Sequence, residues 1–204
     1  MNDDPPAYLA FLLGLAAGLR WMEIDRLQWP AFDWDRKVIK IRRTKVFQPK
    51  TETAVRDVWI DPEVLTVFRN EYAIRGSSGS FVIEGLSLSA PDKNYRAKAV
   101  FDRLSSWLKE HGGTALKPLH ELRKEFGSMV NRLHGLSAAK DLLGHADIGI
   151  TALITSTNRI RPPPAAWERC WRVRPRDQQR SIQSNRKDEE PKCKNYYQYY
   201  SPWE

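Results

Sequence analysis

Past Thr157 the branched aliphatic residues nearly run out. Ile160, Val173 and Ile182 are the only Ile, Leu or Val between 158 and 204. No strand or helix period can be drawn through three such residues, so this segment has no apolar face to bury. Pro162-Pro163-Pro164, a polar run from Arg174 to Lys194 and the cluster Tyr196-Tyr197-Gln198-Tyr199-Tyr200 complete it. Residues 158–204 read as a basic, Pro-rich, disordered tail despite three tryptophans. Whatever folds must fold within residues 1–157.

Charge narrows the classes further. The chain holds 33 Lys+Arg against 25 Asp+Glu, a net +8. A polyanion such as nucleic acid is the expected partner of a soluble chain with this balance. Two cysteines, Cys170 and Cys193, cannot form a disulfide framework or a cysteine metal cluster. The longest apolar stretch, Tyr8 to Leu19, contains Gly14 and Gly18 and is too short to cross a bilayer. The acidic, kinked start Asn2-Asp3-Asp4-Pro5-Pro6 lacks the basic flank of a signal peptide. A cytoplasmic protein with no membrane, metal or cofactor follows as the expectation.

The punctuation of residues 1–157 predicts a mainly helical domain with one small antiparallel sheet, an α+β fold. Tyr8 to Leu19 is an apolar helix, and Trp21 to Leu27 carries helical spacing onward. Val38 to Arg42 and Val55 to Ile60 alternate, with Pro49 in the polar connection between them, which predicts a hairpin or small sheet. Asp61 caps a helix with Pro62 in its first turn, running to about Tyr72. Gly76 to Ser80 is a loop. Arg96 to Glu110 places Val100, Leu104, Trp107 and Leu108 on one helix face, and Gly112-Gly113 ends it. Leu119 to Leu133 and Ser137 to Leu143 are two further helices separated by Gly135.

Three basic clusters stand apart from scattered surface charge. Arg20, in Gly18-Leu19-Arg20-Trp21-Met22-Glu23, directly follows the apolar helix and belongs at the edge of the core. The alternative to a functional role is an aliphatic stem packed on that core, with a salt bridge to Glu23. Lys50, in Gln48-Pro49-Lys50-Thr51, sits at the expected hairpin tip, with Arg42, Arg43 and Lys45 nearby. A lysine there can reach a phosphate or protonate a leaving oxygen, or it can be a solvated edge charge that discourages aggregation. His120 and Arg123, three apart on one helix, project from the same face and can hold two oxygens of a phosphate. His145, in Leu142-Leu143-Gly144-His145-Ala146-Asp147, follows a glycine at a helix end and could equally be a C-terminal cap. With four histidines and no His-Glu-x-x-His spacing, a metal site is the weaker reading.

The order Gly-Leu-Arg-x-x-Glu, hairpin Pro-Lys-Thr, Leu-His-x-Leu-Arg and Leu-Leu-Gly-His resembles the catalytic domain of the tyrosine recombinases, the phage integrase family, over about Tyr8 to Thr151. Type IB topoisomerases share the basic residues, but the Leu-Leu-Gly-His segment is closer to the integrase version. The resemblance implies double-stranded DNA as ligand, other recombinase subunits on that DNA, and no metal. It implies that Arg20 and Arg123 clamp the non-bridging oxygens of a scissile phosphate and that His120 assists proton transfer. It further implies that Lys50 (or, fitting less well, Lys45) protonates the departing 5′ oxygen, that His145 hydrogen-bonds the phosphate, and that Glu23 steadies the Arg20 turn. Fixed cations would then meet the charge that develops on the equatorial oxygens.

Two departures follow from the same resemblance. Family members usually carry an N-terminal helical domain that grips the other side of the DNA, and there is no room for one before Tyr8. The nucleophilic tyrosine belongs nine or ten positions after the box histidine, where this chain has Ile154 and Thr155. No other side chain is a convincing substitute, and a threonine without a base is a poor nucleophile. The expectation is a DNA-binding domain defective in strand cleavage. The alternatives are a working recombinase whose tyrosine comes in trans or from Tyr196 to Tyr200, and a regulator that occupies recombination sites without chemistry. Since the composition breaks close to the missing tyrosine, a frameshift after about Ala152 is one origin. An Ile-Thr pair read two bases later yields a tyrosine codon only when Ile154 is encoded AUU.

Overall fold

The computed structural model describes residues 4–49, 52–75, 80–88, 94–113, 115–145 and 147–156. Among these, α1 (Pro5–Leu15) opens the chain, capped by Asp4 Oδ1 on the Ala7 N–H at 3.2 Å. It is apolar all round and buried on every side, with Leu9 and Leu13 wholly inaccessible. Such a helix needs neighbours on each flank, and α4 (Lys98–Glu110) and α5 (Pro118–Leu143) supply them. Gly14 allows the close approach, since a Cβ there would lie 3.2 Å from Leu122 Cδ1.

The expected apolar helix ends about four residues early. Gly18 adopts φ +59°, and the Leu19 N–H returns to the Leu13 carbonyl at 3.0 Å to close the helix end. A Cβ at Gly18 would overlap the ring of Phe126, so conformation and packing both require glycine. The chain then re-enters helix as α2 (Trp21–Arg26). Buried Asp25 on α2 accepts the N–H groups of Arg96 (3.1 Å) and Ala97 (2.8 Å), which tethers the start of α4.

β1 (Phe32–Asp33), β2 (Val38–Ile41) and β3 (Arg56–Trp59) form an antiparallel sheet in the order β1-β2-β3. Its registers pair Phe32 with Ile39 and Ile39 with Val58. α3 (Pro62–Arg75) follows, with Asp61 Oδ1 accepting the Glu63 N–H at 2.7 Å as the sequence predicts, and runs three residues beyond the expected end. α4 buries Val100, Phe101, Leu104 and Leu108, while Trp107 stays partly exposed and meets Phe11 edge-on at 5.9 Å. The two helices expected on either side of Gly135 are the two arms of α5, which kinks where Gly135 takes φ 82°, ψ 172°. α6 (Ile148–Ser156) then packs against α5. Most of the expected loop at Gly76 to Ser80, and the whole of the segment 158–204, lie outside the described residues.

Candidate functional site

The α1–α2 turn, the first turns of α5, the start of β3 and the α5–α6 connection meet around one buried carboxylate. Glu23 is 3% exposed. Its Oε2 accepts the Arg20 backbone N–H at 2.7 Å, so it caps the helix on which it sits. Its Oε1 accepts Arg20 Nη1 at 2.9 Å. Arg56 takes both oxygens, Nη1 to Oε1 at 2.9 Å and Nη2 to Oε2 at 3.0 Å. Burial pushes the Glu23 carboxyl up, but the hydrogen bonds and charge of Arg56 and the charge of Arg20 win and hold it below its ordinary value.

The end of α5 explains why arginines gather here. A helix leaves its last four carbonyls without intrahelical donors. The Lys140 carbonyl accepts the His145 N–H (3.1 Å) and the Asp141 carbonyl the Gly144 N–H (3.0 Å), with Gly144 in the left-handed conformation at φ 62°. The next three carbonyls each receive a different arginine. Arg56 Nε donates to Leu142 at 3.2 Å, Arg123 Nη2 to Leu143 at 2.5 Å, and Arg20 Nη2 to Gly144 at 2.9 Å. Cations are favoured at this negative end of the helix dipole. Two guanidiniums, Arg20 and Arg56, thus bind the Glu23 carboxylate, and a third, Arg123, caps the same helix end, which leaves the cluster with excess positive charge.

Arg123 is 4% exposed and also donates through Nη1 to the Gly18 carbonyl. Burial, followed by repulsion from Arg20, lowers its pKa to about 9, so it remains cationic at neutral pH. His145 does not cap α5 with its ring. Its Nε2 lies 3.2 Å from Arg123 Nη2 and its Nδ1 lies 2.9 Å from the hydroxyl of buried Thr151 on α6. Nε2 is therefore the acceptor, facing a permanent donor, and Nδ1 carries the proton. Burial and the charges of Arg123, Arg20 and Arg56 push its pKa down to about 4, so the ring is neutral at pH 7.

His120 lies one turn before Arg123 on α5 but at the surface, where Arg123 turns inward. Partial desolvation of its ring, with the positive charges of Lys124, Arg123 and Lys117 set against that of Glu121, lowers its pKa. Lys45 is exposed in the β2–β3 connection. Lys50 lies outside the described residues. The structure thus brings Arg20, Arg123 and His145 together at the end of α5, with Arg20 also on Glu23 and His120 one turn before Arg123. Arg56 is the member that motif reading missed. Its signal was parity: it shares a strand face with Val58 and Ile60, both inaccessible. A charged residue at an apolar-parity position implies a buried partner. Ile154 and Thr155 fall within α6.

The comparisons with known proteins bear on the family and the fold. The model of the phage integrase family matches residues 2–159. The chain belongs to the phage integrase family. No curated protein matches it. Among solved structures, the XerA recombinase is similar at 19% identity and a TM-score of 0.57, covering 85% of this chain and 58% of that one. The Tn1549 transposon integrase (aa 82-397) in complex with circular intermediate DNA is similar at 23% identity and a TM-score of 0.52, covering 79% and 58%. The same integrase with transposon right end DNA (Y379F form) gives 22% and 0.51, covering 81% and 58%. The chain therefore spans under two thirds of the length of these solved chains and shares their fold. The integrase-like, mainly helical architecture with a small antiparallel sheet is the one its sequence predicts, with β1 added as a third strand. Among the described residues no helix is long and apolar enough to cross a membrane, and no three His, Cys, Asp or Glu side chains gather where they could hold a metal ion.

Proposed function

We propose that this chain is a cytoplasmic DNA-binding recombinase domain that holds a backbone phosphate and does not cut beside it. The observation that carries the reading is the charge imbalance of the cluster: Arg20 and Arg56 share the carboxylate of Glu23, and Arg123 joins Arg20 and Arg56 on the last carbonyls of α5. Fixed cations in a partly buried site are what a phosphodiester selects. Double-stranded DNA as the source of that phosphate is supported by the family and by the DNA held in the Tn1549 integrase structures.

Arg20 and Arg123 are assigned to the non-bridging oxygens, His120 and His145 to hydrogen bonds with the same group, and Lys50 to the leaving 5′ oxygen. His145 must first surrender its proton contact with Thr151, or turn, before Nδ1–H can serve a phosphate. The nucleophile is the missing part. The positions assigned to it are Ile154 and Thr155, and cations that stabilise a transition state form no covalent intermediate without an attacking group. Residues 1–157 constitute the domain, and residues 158–204 are a separate tail that takes no part in the chemistry.

The test uses duplexes built from the DNA that borders the gene, nicked so that any cleavage traps a covalent adduct. The expected result is binding that weakens steeply between roughly 50 and 200 mM salt, with no adduct. A flat salt response defeats the phosphate assignment. An adduct that maps to Tyr196 through Tyr200, or to a tyrosine of an added recombinase subunit, means that the pocket does support strand cleavage and defeats that half of the proposal.

A further inference from the structure

Four of the five N–H groups of Arg56 already end on protein oxygens. Its side chain is 9% exposed, and Nε, Nη1 and Nη2 all end on protein oxygens, those of Leu142, Glu23 and Ala54. Its bonds nevertheless decide how Arg20 is used. Arg56 holds both oxygens of Glu23, whereas the Arg20 side chain reaches only one of them. Arg20 is held by one N–H on Glu23 and one on the Gly144 carbonyl, and 35% of its side chain stays exposed. A guanidinium alone beside a buried carboxylate takes the two-bond fork, because two parallel charge-assisted bonds are stronger than one. Were Arg56 absent, Glu23 would draw Arg20 into that fork and turn both its Nη groups inward. The Leu142 carbonyl would lose its donor as well, loosening the helix end that carries His145.

We propose that Arg56 is a positioning residue of the pocket: by holding both oxygens of Glu23, it keeps the Arg20 guanidinium available to the ligand. The proposal rests on the phosphate reading above. It treats Arg56 as the charge that balances Glu23, so the effect of removing it must reverse when Glu23 is neutralised. A residue needed only for packing gives no such reversal.

The full chain is titrated with inorganic phosphate at low ionic strength, followed through the NMR shifts of the His145 ring, with cooperative thermal unfolding checked for each variant. The parent should bind, and Arg20→Ala should abolish binding. Arg56→Gln should weaken binding by about tenfold, the scale of one charge-assisted hydrogen bond. The double variant Arg56→Gln/Glu23→Gln should return to within about threefold of the parent, since neighbouring changes of this kind are not additive. If Arg56→Gln binds like the parent, or if the double variant is no better than the single one, the proposal is overturned. Should Arg56→Gln lose its cooperative transition, Arg56→Lys decides, because one ammonium leaves a Glu23 oxygen for Arg20. Weaker binding that Glu23→Gln restores supports the proposal, and parental affinity or no restoration overturns it. No phosphate binding by the parent, or binding unchanged in Arg20→Ala, overturns the phosphate reading itself. Arg20-dependent binding with no effect at Arg56 overturns only the positioning role.

Discussion

Arg20 and Arg123 cap the same helix end from different depths, and that separates the two costs of removing them. Arg20→Ala takes away a partly exposed side chain and should cost about 1 kcal/mol of stability or less. Arg123→Ala leaves the buried carbonyls of Gly18 and Leu143 without donors, at roughly 1–3 kcal/mol for each group stranded. Both should weaken binding to a nicked duplex, while denaturant unfolding should rank Arg123→Ala as much the less stable. Parental binding by both variants would remove these residues from the site. His145 supplies a pH signature. Its pKa falls from 6.5 when unfolded to about 4 when folded, so between those values the unfolded chain binds the extra proton. The stability this shift contributes is fully present above about pH 6.5 and is lost as pH falls toward about 4. Thermal midpoints measured from pH 7 down to 4.5 should therefore fall less steeply in His145→Gln than in the parent. Equal slopes would place the ring away from the arginines.

The turn between α1 and α2 is the element on which the site depends most. Gly18→Ala meets both a left-handed backbone and the ring of Phe126, and its carbonyl is the one that Arg123 Nη1 uses. Left-handed backbone costs a non-glycine residue about 1–2 kcal/mol and overpacking about 1–3 kcal/mol, so denaturant melts should show a loss of about 2–5 kcal/mol. A loss under about 0.5 kcal/mol, ordinary for a surface change, would mean that the turn relaxes freely. The same turn shows what the sequence reveals and what it hides. The apolar run through Leu19 was visible, but hydrophobicity continues past the true helix end, and only the backbone conformation of Gly18 stops it at Leu15. The arginines and histidines could be read because each lies in a short box of fixed order. Arg56 lies in no such box: strand parity marks it only as a charge in need of a buried partner, and the partners, Glu23 and Leu142, are 33 and 86 positions away. The kink at Gly135 was legible, since glycine inside a helical pattern has few other uses.

At the scale of the whole chain, the composition break after Thr157 and the missing tyrosine lie within a few residues of each other. A single frameshift would account for both, and the gene sequence decides it. Codon 154 should be AUU, and the frame shifted by two bases should encode a His-Tyr-like pair followed by an apolar helix. AUC or AUA at that codon leaves plain loss of the tyrosine as the account. Either origin leaves a chain whose arginine cluster is intact in form, and the capping of α5 gives the reason. The three arginines close the carbonyls of Leu142, Leu143 and Gly144, so they are bound into folding as well as chemistry. A lineage that stops cutting DNA does not thereby become free to lose them, because each loss still costs stability. Selection for solubility alone would preserve the outline of a recombinase site long after the last strand exchange, and an arginine cluster of this kind records ancestry more reliably than present activity.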